Sequence, residues 1–261
     1  MTHQDGAAGS EQSTGPGRPR WSRALRRIEG WLPMPITYVV PPRQTESATT
    51  VARRRKVVAT TSLAGAGLLG VSLSTKPDSV PFYALTLGVA ATWSGGGLAS
   101  GPLHLGWLED RDHDLRRPVV TPIATGVAAF GVFYAGALVA RRIPILAEAI
   151  SSILEFAEQG KMPLVLLTTY ANGLGEEIFF RGALYSALPS HQAAVASTGI
   201  YALATSTTRN PSLVLAALVM GSIFAAQRRA TGGLEAPVLT HLTWSTLMVR
   251  YLPPLFRPPQ G

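Results

Sequence analysis

The chain has 261 residues, 46% of them apolar and only 15% charged, with a net charge of +8 and no cysteine. Average soluble domains carry roughly 25% charged residues, so a soluble enzyme is a poor fit. Disulfides, thiolate catalysis and Cys-based metal sites are excluded, and a His-based site has only His3, His104, His113, His191 and His241 to draw on.

Residues 1–56 are rich in Gly, Pro, Ser, Thr and Arg and read as a disordered basic tail. Within it, Trp21 to Trp31 is a candidate basic amphipathic patch for a membrane surface. Ten Lys/Arg residues fall in this stretch, ending in Arg53-Arg54-Arg55-Lys56 directly before the first apolar run. Basic residues placed there predict a cytoplasmic N-terminus and contact with anionic lipid. The same placement argues against nucleic acid as the partner. No signal peptide is expected, because the first apolar run starts too late.

The apolar runs follow in order: Val57–Thr75, Val80–Ser100 and Val119–Ala140, each free of Asp, Glu, Lys and Arg. A spanning helix needs about 20 such residues. Gly95-Gly96-Gly97 is expected to break or end the second helix, since glycine is poor in helix interiors. Ile143–Glu158 places Ile143, Leu146, Ile150, Ile153, Leu154 and Ala157 at helical spacing, interrupted by Glu148, Glu155 and Glu158. That pattern predicts an amphipathic helix lying at the interface. Further spans are expected at Pro163–Leu188, Ala193–Thr208, Ser212–Gln227 and Leu234–Leu252. The fold class is therefore an all-α polytopic transmembrane bundle of about seven spanning helices and one interfacial helix, placed in the plasma membrane. Its regions are the tail at 1–56, N-terminal helices at 57–158, a core at 159–253 and a short tail at 254–261.

One cluster carries the chemistry. Glu176, Glu177 and Arg181 sit between Met162–Gly175 and Gly182–Thr208, neither of which contains a charge. Charge at membrane depth is costly and marks function or pairing. Adjacent glutamates lie about 100° apart on a helix, so they cannot form a symmetric dyad. Glu177 and Arg181 are in the favourable i, i+4 order. That division leaves Glu176 to face the bundle interior, where a carboxylate suits a general base for water. A buried ion pair that only locks helices together is the alternative on charge placement alone. His241 and Ser245 lie one turn apart on the last span.

Gly175-Glu176-Glu177-Ile178-Phe179-Phe180-Arg181-Gly182 resembles the EExxxR motif of the CPBP family of intramembrane proteases (the CAAX-protease and bacteriocin-processing, or Abi, family). Arg229 to His241 is similar to the run that enters the family's HxxxN motif, and Gly221 fits the glycine usual before it. The resemblance covers about Pro163 to Leu252. It implies an all-helical bundle that hydrolyses a peptide bond of a membrane-embedded or lipidated peptide or protein. By the resemblance, Glu176 activates water, Glu177 and Arg181 support it, and His241 stabilises the oxyanion. Two positions depart from the pattern. The family's FxxxH motif reads Tyr201-Ala202-Leu203-Ala204-Thr205 here, so Thr205 stands in for the histidine and is left to orient water. Ser245 stands where HxxxN has Asn. Members are often labelled metalloproteases; a zinc ion here would have to draw on Glu176 and His241, short of the three protein ligands typical of catalytic zinc. A degenerate second motif also leaves open a member that binds a membrane peptide or partner without cutting it. Oligomeric state is not readable from the sequence.

Overall fold

Helix starts follow the capping chemistry of the sequence. The computed structural model describes residues 47–109 and 115–256. Helix α1 (Ala48–Ser72) begins where the Ser47 hydroxyl accepts from the Thr50 amide at 3.2 Å, as N-cap serines do. It therefore starts before Val57 and takes in Arg53 to Lys56, which were assigned to the tail. The reason is tertiary: Arg54 is buried and donates to Ser100 Oγ and the Pro102 carbonyl, both at 3.0 Å. The Trp21–Trp31 patch lies outside the described residues.

Helix α2 (Val80–Ala99) is capped by Ser79 and runs straight through Gly95-Gly96-Gly97. The expected break does not occur. Gly96 packs on the Thr61 side chain and Gly97 on Ile178, places where a Cβ would collide. Small residues let apolar helices approach closely, and that gain offsets glycine's poor propensity. A minimal antiparallel pair, β1 (Leu108–Glu109) with β2 (Leu115–Arg116), is the one sheet among the described residues.

The remaining elements are helical. Helix α3 spans Val120–Ala140, α4 spans Pro144–Gln159 and α5 spans Met162–Glu176. From Glu177 to Leu184 the same helix continues with π-helical, i→i+5 bonding, then ends in the turn Tyr185–Ala187. Helices α6 (Ala193–Ser206), α7 (Pro211–Thr231) and α8 (Glu235–Tyr251) complete the bundle, followed by a turn at Pro253–Phe256. Helix α4 is amphipathic as expected: Leu154 is buried beside Ala137 and Leu252, while Glu148, Glu155 and Glu158 are exposed. Asn210 joins it to the α6–α7 turn, donating to the Ala149 carbonyl at 2.6 Å while its own Oδ1 caps α7.

Among the described residues, α3 and α7 are long and apolar enough to cross a membrane. The other expected spans are present as helices but do not reach that standard of length and hydropathy, because Ala, Gly, Ser, Thr and the ionisable cluster dilute them. Large apolar side chains face outward on several helices, with Leu63, Val80, Val120 and Val195 each close to 80% exposed.

The main core surrounds the π segment. Trp93 of α2 is fully buried between Phe179 and Phe180, with ring centroids 4.7 and 4.9 Å away. Its other side lies against Gly65 of α1, where any side chain would run into the indole. Gly65→Val is expected to destabilise the bundle by about 1–3 kcal/mol through overpacking, read as a lowered melting temperature of the purified protein in detergent. Gly67→Ala, at an open position on the same helix, is expected not to lower it and to raise it slightly, since alanine is the better helix former.

Candidate active site

The π segment brings the ionisable cluster to the middle of the bundle. Glu177 and Arg181 are both fully buried. π-Helical bonding widens the turn, and such bulges recur at functional sites. Glu177 Oε1 and Arg181 Nη1 stand 3.5 Å apart, at the outer limit of a hydrogen bond. The pair is held by charge more than by a directional bond. The guanidinium makes its shorter contact elsewhere: Arg181 Nη2 donates to the Gly221 carbonyl of α7 at 3.1 Å. Thr198 of α6 donates to the same oxygen at 3.1 Å. Arg181 also lies over the Tyr201 ring at 4.6 Å and the Phe224 ring at 5.1 Å. Gly221 is needed because a Cβ there would stand 3.0 Å from Arg181 Nη2.

Glu177 has a second partner. Its Oε1 is 2.9 Å from His241 Nδ1. An ionised carboxylate only accepts, so Nδ1–H donates and Nε2 is the nitrogen left available. The imidazole is clamped from one side by Phe224, stacked at 4.8 Å and 22°. One carboxylate on α5 thus orients a guanidinium on its own helix and a histidine on α8.

Glu176 points to a different place. With Tyr201, Thr205 and His241 it lines a cavity of about 170 Å³. Ligand pockets for drug-sized molecules run roughly 300–1,000 Å³, so this space suits water and a narrow strip of chain. Glu176 Oε2 accepts from the Tyr201 hydroxyl at 2.6 Å. Thr205 donates its hydroxyl to the Tyr201 carbonyl at 2.9 Å, leaving only acceptor lone pairs for anything in the cavity. Ser245 is buried but is not part of the cavity wall.

The site residues read from the sequence therefore fall into two groups. Glu176, Thr205 and His241 share the cavity, Glu177 and Arg181 sit behind it, and Ser245 stands apart. Tyr201 was missed as a functional residue. Its signal was present: it occupies the phenylalanine position of the motif that lacks its histidine, and adds a hydroxyl there.

Residues 158–247 match the family model described as Type II CAAX prenyl endopeptidase Rce1-like. That segment, about a third of the chain, is similar to the CAAX-protease family. No curated protein and no solved structure matches it. The matched region runs from the end of α4 through most of α8 and contains every ionisable residue of the site. In this core, the donor set does not fit a tightly held metal. Glu176 is engaged by Tyr201, the accessible imidazole nitrogen is a single ligand, and the position of a further histidine is a threonine with its hydroxyl already spent. Among the described residues no group of three His, Cys, Asp or Glu could hold an ion.

Removing one partner of a buried ion pair leaves an uncompensated charge and costs about 3–5 kcal/mol. Arg181→Met is expected to lower stability on that scale, and the double variant Arg181→Met/Glu177→Gln is expected to recover part of the loss. Thermal unfolding of the three proteins in detergent measures both.

Proposed function

We propose that the protein is an intramembrane endopeptidase in which Glu176 activates water directly. The observation that carries this reading is the cavity wall: a carboxylate, an oriented imidazole and hydroxyl groups converge on a small cavity inside an apolar bundle. Glu176 takes a proton from water, and the hydroxide so formed attacks the scissile carbonyl carbon. His241 donates from Nε2 to the developing oxyanion, its imidazolium form balanced by Glu177 at Nδ1. The C–N bond then breaks, and the proton held by Glu176 passes to the leaving amine. Arg181 keeps Glu177 in place through the buried pair, and Thr205 accepts a hydrogen bond from the attacking water.

Tyr201 supplies what the absent second histidine leaves unfilled. Its short hydrogen bond holds one oxygen of Glu176, so the other is presented to water in one orientation. Charge-assisted O–H···O⁻ bonds of about 2.5–2.7 Å are among the stronger ones. This contact favours a working site over a member that only binds peptide. The outward apolar surface supports a polytopic membrane bundle. In this reading it crosses the plasma membrane seven times with α4 at the interface. The basic residues at the start of α1 and the end of α7 favour a cytoplasmic N-terminus. The substrate is a membrane-embedded or lipidated peptide or protein.

Purified protein in proteoliposomes, presented with a library of lipidated and unlipidated peptides, tests the reading. Glu176→Gln is expected to lower kcat by about 10²–10⁴-fold, the usual contribution of a general base. His241→Ala is expected to cost about 10²–10³-fold, as for an oxyanion donor. Retained peptide binding without cleavage by the wild type would identify a binding protein instead.

In the same assay Tyr201→Phe, which removes only the hydroxyl, is expected to lower kcat with little change in KM. Adding Thr205→His to that variant is expected to restore part of the rate. Chelators are expected to leave the wild-type rate unchanged.

A further inference from the structure

The cavity runs in one direction along the bundle. On α7 it is lined by Leu213, Ala217, Met220 and Phe224, a stripe with helical spacing of four, three and four. Eleven residues of helix are about 16 Å long. The far end of this stripe is buried: Met220, Phe224 and His241 are all within the core. The near end is half exposed at Leu213, together with Leu69 of α1 and Thr208 after α6. The mouth therefore lies where the end of α1 meets the α6–α7 turn. That junction is fixed by the Thr207 hydroxyl, which donates to the Ala66 carbonyl at 2.8 Å.

The opposite end of the bundle is closed. There the residues between α2 and β1 lie as a strap across the α7–α8 turn. The Trp107 amide donates to the Thr231 carbonyl at 2.8 Å, Leu234 to His104 at 3.0 Å and Glu235 to Leu105 at 2.9 Å. Gly106 and Gly233 touch backbone to backbone, leaving no room for a side chain on either. Arg117 stacks over Trp107 at 4.1 Å and bonds Glu235 at 3.2 Å, pinning the strap. The basic residues gather at this closed end: Arg53, Arg54, Arg55 and Lys56 at the start of α1, and Arg228 and Arg229 at the end of α7. Arg55 bonds the Ala187 carbonyl and Arg228 the Arg181 carbonyl, so both groups belong to one end. The mouth end carries Lys76, Arg141, Arg142, Lys161, Arg209 and Arg250, offset by Asp78, Glu148, Glu155 and Glu158. The closed end adds Arg116 and Arg117 to its basic residues and, among the described residues, has fewer acidic ones to offset them. Basic residues accumulate on the cytoplasmic side of membrane bundles.

We infer that substrate reaches Glu176 from the extracytoplasmic side, through the mouth between Leu69 and Leu213. The substrate class is then a peptide segment already exported, or anchored in the outer leaflet, and not the C-terminus of a lipidated protein in the cytosol. Leu69, Leu213, Ala217 and Met220 make the approach apolar, so the entering segment carries apolar side chains next to the scissile bond. What enters depends on the peptidase reading; the side of entry does not.

The chain has no cysteine, so single-cysteine variants report without background. Leu69→Cys and Leu213→Cys sit on opposite walls of the mouth, and Arg229→Cys is an exposed control at the closed end. Each is expressed in intact cells and treated with a membrane-impermeant maleimide. Leu69→Cys and Leu213→Cys are expected to react without permeabilisation, and Arg229→Cys only after it. Mouth variants that react only after permeabilisation overturn the inference, as do mouth variants that react under neither condition while their melting temperatures match the wild type. Labelling is independent of hydrolysis. Labelling from outside on a protein that cleaves nothing upholds the side of entry and removes the peptidase reading. Cleavage with labelling only from inside removes this inference alone.

Discussion

Glu177 has to satisfy two partners at once, and the centre of the bundle is arranged around that demand. A carboxylate with no exposure is tolerable only when cations or donors surround it. Arg181 supplies charge at 3.5 Å and His241 supplies a donor at 2.9 Å. Arg181 brings its own requirement for acceptors, which the Gly221 carbonyl meets at Nη2. Three helices are therefore tied to one side chain: α5 through the π segment, α7 through Gly221 and α8 through His241. Thr198 adds α6 by donating to the same carbonyl. The network is also what leaves Glu176 outside it. With the guanidinium and imidazole committed to Glu177, the neighbouring carboxylate is turned to the cavity.

Apolar surroundings make this network possible and expensive to misplace. Trp93, Phe179 and Phe180 fill the side away from the cavity, and Phe224 stacks on the histidine. Such packing excludes water from behind the site and strengthens electrostatic interactions within it. Close approach is bought by small residues at Gly65, Gly96, Gly97 and Gly221, each facing a neighbour that a side chain would strike. The glycine triplet of α2 follows the same logic. Its poor helix propensity is real, but in a bundle driven by close packing the contacts at Thr61 and Ile178 outweigh it.

The second motif is where this chain departs from the family pattern it resembles, and the departure is internally consistent. Thr205 cannot act as a base, and its hydroxyl is spent on the Tyr201 carbonyl. Tyr201, one turn earlier on the same face of the helix, places its hydroxyl on Glu176 at 2.6 Å. The threonine in place of an imidazole and the phenol in place of a phenyl ring thus lie one turn apart on α6, both on the wall of the cavity that Glu176 lines.

Much of the fold was readable in the residues because helical hydropathy and charge placement are local signals. Each long helix corresponds to an apolar or amphipathic run, and the family signature around Glu176, Glu177 and Arg181 is contiguous. Local signals also misled where tertiary contacts prevailed. Burial of Arg54 carries α1 back to Ala48, and close packing carries α2 through its glycines. The π-helical bonding from Glu177 onward had no sequence mark, since i→i+5 bonding depends on what the segment packs against. The hydrogen bond from Tyr201 to Glu176, the stacking of Phe224 on His241 and the exclusion of Ser245 from the cavity wall join residues far apart in the chain. Sequence order constrains such pairs weakly, because their distances depend on how α5, α6, α7 and α8 are tilted and spaced. The residue types therefore determined the family resemblance and the ionisable groups, while the packing of four helices decided which of those groups face one another and which face the cavity.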